Sequence, residues 1–257
     1  MLWVCISAFV LLLMKRSAWL LSSFCISVVS FSQSPRQSKK AISEVKFPAT
    51  KVDIREHLSV FADSSGKSTY HISVCADVPN NKNPLKVAHH QETGHVFLIL
   101  QRIGQAGDTL SRVFGFYPRA GLQTLLFKKT KSMIKDNSYR EHDVVITKEL
   151  TQPEFDTVVK RSIELAGKKY HMNKYNCYDY AILIFNAIAG DSPLPLTHIR
   201  FPFIFGKGGS PCSVYKDFRK LKESGSVWNK HITFEEMIAP ISTGREKKES
   251  GKLVANQ

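Results

Sequence analysis

Residues 94–102 read GHVFLILQR and predict a strand at the centre of the protein. The histidine is followed by five consecutive apolar residues, a run typical of a strand buried on both faces. Residues 104–107 supply a turn, and residues 110–117 (LSRVFGFY) return as the neighbouring antiparallel strand. Residues 70–78 and 142–147 predict two more strands. The sequence therefore indicates an antiparallel sheet.

Helical patterns follow the strands. Thr151 and Glu154 form a capping box before apolar residues at helical spacing, and Gly167 ends that helix. A second helix is predicted to begin at the N-cap residue Asn176 and to end at Gly190, and residues 211–222 predict a third. The fold class predicted is α+β, with the antiparallel sheet packed against helices.

The first 32 residues are predicted to be a signal peptide. Two apolar runs flank Lys15 and Arg16, and neither is long enough to span a bilayer comfortably. From Met14 onward the pattern is a basic head, an apolar middle and small residues before Gln33, so the true start is predicted at Met14 and the protein is expected in the periplasm or secreted. An uncleaved membrane anchor is the alternative.

The rest of the chain is divided by composition. Residues 33–50 predict a linker, residues 51–241 one domain and residues 242–257 a flexible charged tail. The chain has 257 residues and a formal net charge of +14, of which about +12 remains without the signal peptide. This charge favours anionic partners, namely a cell-wall polymer or a membrane surface, while nucleic acid is disfavoured by the export signal and by the lack of a binding motif.

Cys177 is the predicted nucleophile. It stands at the first turn of the second helix, where unpaired backbone N–H groups and the helix dipole favour a thiolate. His95, at the start of the most apolar strand, is the predicted base. Export leaves three cysteines, so Cys75 and Cys212 are predicted to pair in a disulfide while Cys177 stays free.

The segment AGKKYHMNKYNCYDYAILIF, residues 166–185, resembles the cysteine segment of the NlpC/P60 superfamily of cell-wall cysteine peptidases and amidases. Here the Gly-His strand precedes the cysteine helix, so the resemblance is to the circularly permuted branch of these papain-like proteins. That branch also includes lecithin:retinol acyltransferase-like enzymes. The similarity covers roughly residues 90–195.

The resemblance implies Cys177 as nucleophile, His95 as base and a third polar group that orients the histidine. The residue facing His95 on the returning strand is Phe116 or Tyr117, and only Tyr117 has a polar tip; Asp143 on the next strand is its competitor. The oxyanion site would combine the Cys177 N–H with a donor such as Asn176 or His171.

Two other kinds of site are disfavoured. His89, His90 and His95 lack a carboxylate or cysteine cluster at metal-ligand spacing, so zinc is not expected. The glycine-rich run at residues 206–209 lacks the features of a phosphate-binding loop and predicts a flexible rim of the cleft.

The function expected from these features is an exported cysteine hydrolase that cleaves an amide bond in a peptidoglycan peptide through an acyl-enzyme at Cys177, without a cofactor. An acyltransferase or lipid deacylase that uses the same pair is the alternative within enzymes. A catalytically silent envelope-binding module is the alternative outside them.

Overall fold

An antiparallel sheet flanked by helices forms the body of the protein, as predicted. The computed structural model describes residues 49–62, 67–88, 92–120, 129–201 and 206–243. The strands are β1 (Lys51–Val52), β2 (Ser68–Asp77), β3 (His95–Gly104), β4 (Thr109–Pro118), β5 (Ser132–Asp136), β6 (Glu141–His142), β7 (Val144–Leu150), β8 (Ile199–Arg200), β9 (Lys207–Gly208), β10 (Ile232–Thr233) and β11 (Met237–Ile238). The α-helices are α1 (Ile54–Leu58), α2 (Gln152–Ala166), α3 (Cys177–Asn186) and α4 (Pro211–Glu223).

The main sheet has the strand order β1-β5-β4-β3-β2-β7-β10, and all neighbouring strands are antiparallel. The predicted hairpin is confirmed, because β3 pairs with β4 in a register that joins Ile103 to Thr109 and Phe97 to Gly115. The sequence prediction missed β5, whose short and largely polar sequence hides its place beside β4. This strand matters because it extends the sheet on the side of β4 away from β3.

The two faces of the sheet carry different clusters. Even-numbered residues of β3 and β4, such as Leu98 and Phe114, join the main core beneath α2 and α3. Odd-numbered residues, such as Phe97 and Val113, form a smaller cluster on the other face with Cys75 and Ala239. The side-chain alternation of a strand therefore decides which face each residue at the start of β3 occupies.

The predicted helix starts are confirmed, whereas the predicted ends are confirmed only in part. Thr151 caps α2 through a capping box with Glu154, and Gly167 is its C-cap. Asn176 caps α3, although that helix ends at Asn186, before the predicted Gly190. Ser210 precedes α4 and accepts a hydrogen bond from the Ser213 N–H.

Residues just outside the predicted domain limits of 51 and 241 form hydrogen bonds to the main sheet. The Thr50 carbonyl accepts a hydrogen bond from Asp136, and Ser242 and Thr243 bond to β4, so the charged tail is anchored where it begins. The predicted signal peptide, residues 33–48 of the linker and residues 244–257 of the tail lie outside the described residues. Within the described residues, no helix has the length and apolar character needed to cross a membrane.

The predicted disulfide is not formed. Cys75, Cys177 and Cys212 are all free thiols. Cys75 is fully buried in the smaller cluster against Phe97 and Val145, whereas the Cys212 thiol donates to the Lys86 carbonyl at 3.4 Å. Because Cys75 is packed in the smaller cluster and the Cys212 thiol is bonded to a carbonyl, a disulfide between them would require one thiol to leave its present position.

Candidate active site

A cavity of about 430 Å³ opens at the end of the sheet where β3 begins. Cys177, His95 and Tyr117, the three predicted site residues, all line it. The remaining lining is largely apolar and contains no Asp or Glu: Thr93, Gly94, Phe116, Pro118, Tyr170, Met172, Asn176, Phe201, Gly209, Ser210 and Pro211. Residues 82 positions apart in the chain thus meet at one concave site.

Asn176 fixes the position of Cys177 as the first residue of α3. Its side-chain oxygen accepts from the Tyr178 N–H at 2.8 Å, and its own backbone N–H donates to the Asp179 carboxylate at 2.9 Å. Its amide nitrogen donates to the carbonyls of Met172 and Gly209. The residue before the thiol is therefore held from three sides, and the thiol has little freedom to shift.

The Cys177 thiol is protonated at neutral pH. Burial raises its pKa from 9.0 to about 11, while the nearby backbone N–H groups of Val96 and Tyr178 lower it by less. The sequence predicted the opposite direction, because it counted the helix start and could not count the burial. The predicted low thiol pKa is therefore wrong for this state of the protein.

The His95 imidazole packs on the face of the sheet opposite α3. It lies on the same face of β3 as Phe97, and the two rings are nearly parallel. It also stacks on Tyr117, with ring centroids 4.1 Å apart. Burial, together with the positive charges of Arg140 and Lys135, holds the pKa of His95 well below its ordinary value of 6.5. The imidazole is therefore neutral at pH 7, and its burial and the two nearby cations oppose its protonation.

Tyr117 faces His95, as predicted, but its hydroxyl does not bond to the imidazole. Continuing the β3–β4 register places Tyr117 opposite His95. The hydroxyl instead accepts hydrogen bonds from Asn137 at 2.6 Å and from Arg140 at 3.5 Å. Burial raises the pKa of Tyr117, so the phenol stays neutral. Asp143, the competitor, accepts from the Val78 N–H at 2.7 Å and does not line the cavity.

Asn137 is the polar group that the sequence prediction missed. It follows β5, is 2% exposed and approaches His95 over the backbone of Gly115. A Cβ added to Gly115 would overlap Nε2 of His95 and lie 2.7 Å from Oδ1 of Asn137. Within the described chain neither of these two atoms has a hydrogen-bond partner. The two atoms lie close together without bonding, and a small shift that let Nε2 donate to Oδ1 would satisfy both and leave Nδ1 as the unprotonated ring nitrogen.

A signal for this approach exists in the sequence. Gly115 interrupts the apolar and aromatic run at residues 113–117, and a glycine inside a strand often marks the close approach of another group. The same reasoning explains Gly94, whose φ of +66° and contact with the Asp77 carbonyl exclude a side chain directly before His95.

The thiol and the imidazole reach the cavity from opposite faces of the sheet end. Cys177 belongs to the main core cluster beneath α3, whereas His95 lies over Gly115 on the other face. No hydrogen bond joins the two side chains in the described structure, although the thiol lies beside the Val96 N–H, which directly follows His95. The resting site is therefore a neutral thiol and a neutral imidazole, and proton transfer requires the ring to turn toward the sulfur.

The two side chains predicted to assist an oxyanion site are engaged elsewhere. Both hydrogen-bonding positions of the Asn176 amide nitrogen are occupied by backbone carbonyls. His171 accepts from the Asn173 N–H through Nδ1 and does not line the cavity. The backbone N–H of Cys177, which as the first residue of a helix has no intrahelical acceptor, remains the available donor.

The remaining predictions concern the histidines weighed as metal ligands and the glycine-rich rim. His89 and His90 lie outside the described residues, within which no cluster of His, Cys, Asp or Glu has the geometry of a metal site. The glycine-rich rim is partly ordered, because β9 pairs with β8 and Gly209 packs against the Tyr178 ring.

Comparison with known proteins gives no significant match: no family model, no curated protein and no solved structure.

Replacing Gly115 by Ala tests the packing of His95. The added methyl group would displace the imidazole from its slot, so we expect the His95 pKa to rise toward 6.5 as the ring becomes solvated. A histidine NMR titration measures this shift. Gly167→Ala is the matched control, because its Cβ would make only ordinary contact, 3.5 Å from the Glu164 carbonyl. An unchanged His95 pKa in Gly115→Ala would contradict the assigned position of the ring.

Proposed function

We propose that this protein is an exported cysteine hydrolase that cleaves an amide bond in a cell-wall peptide through an acyl-enzyme at Cys177. The observation that supports it is the shared cavity, in which a thiol at the first residue of α3 meets a neutral imidazole whose inner nitrogen faces Asn137. A permuted papain-like arrangement, with the histidine strand before the cysteine helix, agrees with this order of elements.

The reaction follows from the two neutral groups. The Cys177 sulfur attacks the amide carbon as its proton moves to Nδ1 of His95, and the Cys177 N–H donates to the developing oxyanion. The imidazolium then returns that proton to the leaving nitrogen, the C–N bond breaks and a thioester remains. Water, deprotonated by the same imidazole, hydrolyses the thioester and restores the thiol.

Asn137 acts as a positioning residue in this scheme, and Tyr117 supports it. An acceptor at Nε2 keeps the proton on that nitrogen and the lone pair on Nδ1, the nitrogen that must receive the thiol proton. Tyr117 holds the other end of the Asn137 amide and stacks on the imidazole. The role predicted for Tyr117, that of orienting the base directly, thus passes to Asn137.

Export and the anionic partner are part of the proposal. The residues that would carry the signal peptide lie outside the described chain, so their support is the sequence pattern alone. The formal charge of about +12 that remains without the signal peptide suits encounter with an acidic cell-wall polymer.

The test is incubation of the purified protein with peptidoglycan fragments, followed by mass spectrometry. We expect new amino and carboxyl termini from one cleaved bond and an acyl adduct on the Cys177 peptide after rapid acid quenching. Cys177→Ala should give neither. Intact fragments and an unmodified thiol across a panel of stem peptides would count against a peptide hydrolase.

Acyl transfer or lipid deacylation is the second candidate, and the cavity lining favours it specifically. Phe116, Tyr170, Met172 and Phe201 give the site an apolar wall that suits a fatty acyl chain. A long-chain ester in the same assay distinguishes the two: an acyl adduct from the ester but not from the peptide would select the lipid reaction. If neither forms an adduct, a silent binding module remains.

Substitution of Asn137 by Ala should lower kcat about 10- to 100-fold, because the neutral imidazole loses the acceptor that selects its tautomer. Tyr117→Phe should cost less, since it keeps the ring stack and removes only the bond to Asn137. The pH dependence of kcat separates positioning from general damage: Asn137→Ala should shift its acid limb, whereas a structural defect would lower the whole curve evenly. Equal effects of the two substitutions would contradict the assignment.

A further inference from the structure

Three cations stand side by side on neighbouring chain segments, directly after the end of β4 that lines the cavity. The Arg119 N–H donates to the Lys131 carbonyl at 2.8 Å, which continues the β4–β5 register and sets the two residues opposite each other. An antiparallel bridge between Thr130 and Tyr170 sets Lys131 opposite Lys169 on its other side. We call Arg119, Lys131 and Lys169 the basic row.

The basic row works against folding. Like charges directly opposite each other on neighbouring strands repel and destabilise the pairing. All three side chains are exposed, and within the described chain none forms an ion pair with a carboxylate. Residues 129–135 and 167–175 contain no acidic residue that would relieve the repulsion. A row of unrelieved cations is a surface to which a ligand of complementary charge would bind.

The position of the basic row links it to the cavity. Tyr117, which lines the cavity, lies two residues before Arg119 along the extended chain, so the two side chains share a face of the sheet. Adjacent strands are about 4.8 Å apart, so the row spans roughly 10 Å. A further cation, Lys135, lies 5.0 Å from the centre of the Tyr117 ring. Positive charge therefore extends from the rim to the site.

We propose that the basic row binds the acidic part of the substrate, a peptide segment with at least two carboxylates beside the bond that is cleaved. The inference rests on the proposed function, whose substrate it specifies. Carboxylates a few ångströms apart match cations spaced by the distance between strands.

The proposed reaction favours a peptide over a membrane surface as the occupant, because the row continues the face of β4 on which Tyr117 lines the cavity. Membrane-surface binding, which usually combines basic residues with exposed apolar anchors, is the competing outcome that the test must exclude.

The experiment measures binding in the Cys177→Ala protein, so its result does not depend on turnover. The probes are fluorescein-labelled oligoglutamate and oligoglutamine peptides of equal length, followed by fluorescence anisotropy, and phosphatidylglycerol vesicles followed by sedimentation. The row variant combines Arg119→Gln, Lys131→Gln and Lys169→Gln. The matched control removes the same charge from exposed lysines elsewhere: Lys216→Gln, Lys220→Gln and Lys230→Gln.

We expect oligoglutamate to bind, oligoglutamine not to bind, and the row variant to weaken oligoglutamate binding about tenfold. The control should change it less than about twofold, and added salt should weaken binding to the parent protein more than to the row variant. Equal binding of the two peptides, or equal loss in the row variant and the control, would overturn the proposal. So would row-dependent binding of vesicles without binding of oligoglutamate, which would select a membrane surface instead.

The same data separate the proposal from the proposed reaction. If the row variant binds oligoglutamate as tightly as its parent while Cys177 still forms an acyl adduct, the hydrolase proposal stands and the acidic substrate class is wrong. Row-dependent binding without any adduct would leave an acidic-peptide binding module.

Discussion

Cys177→Ala and His95→Ala should each reduce turnover of peptidoglycan fragments to the uncatalysed level. The first substitution removes the atom that forms the acyl-enzyme, and the second removes the group that takes its proton. Because the two act as one unit, the double variant should be no slower than either single variant. Initial rates of fragment cleavage, followed by chromatography, measure all three proteins.

The matched control is Cys212→Ala, which removes another buried thiol that does not line the cavity. We expect it to keep normal turnover if the protein remains folded, which circular dichroism checks. Turnover that survives in Cys177→Ala would place the nucleophile elsewhere. Full turnover in His95→Ala would mean that another group accepts the proton, and the assignment of the imidazole as base would be wrong.

The hairpin at the centre of the sheet could be predicted because its signal is local. The apolar run after His95, the turn and the returning strand determine the register, and the register alone sets Tyr117 opposite His95. The start of α3 is equally local, since Asn176 and Asp179 form the capping box that places Cys177 at the first helical residue. Patterns within about ten residues thus placed Cys177 and His95 on the correct elements.

Asn137 could not be assigned in the same way because its role depends on three strands at once. It lies near the imidazole only because β5 pairs with β4, and because Gly115, which has no Cβ, leaves room between the two side chains. The polar sequence around Lys135 and Asp136 gave no strand pattern. Without β5, nothing in the sequence connects residue 137 to the histidine strand.

The thiol pKa shows how a correct local argument can give the wrong sign. The helix start does favour the thiolate, as do the N–H groups of Val96 and Tyr178. Burial of the sulfur beneath the sheet opposes these effects and is the largest of them. Burial is a property of the whole fold, so a sequence pattern around Cys177 cannot supply it.

Iodoacetamide should therefore label Cys177 slowly at neutral pH. Raising the thiol pKa from 9.0 to about 11 lowers the thiolate fraction at pH 7 about 100-fold relative to an ordinary cysteine. The labelling rate should rise about tenfold for each pH unit up to about pH 10 and then begin to level off near pH 11, because only the thiolate reacts. The rate of modification of the Cys177 peptide, followed by mass spectrometry from pH 6 to pH 11, measures this dependence.

His95→Ala should leave the labelling rate of Cys177 at pH 7 unchanged. The imidazole is neutral and does not bond to the thiol in the resting site, so its removal breaks no ion pair. The unfolded protein in urea provides the reference rate for an unperturbed cysteine. A labelling rate that instead levels off below pH 8.5 and falls in His95→Ala would reveal a preformed thiolate–imidazolium pair, contradicting the neutral resting state. Slow labelling of the folded protein is thus compatible with catalysis, since the proton leaves the sulfur only as the ring turns and the bond to the substrate forms.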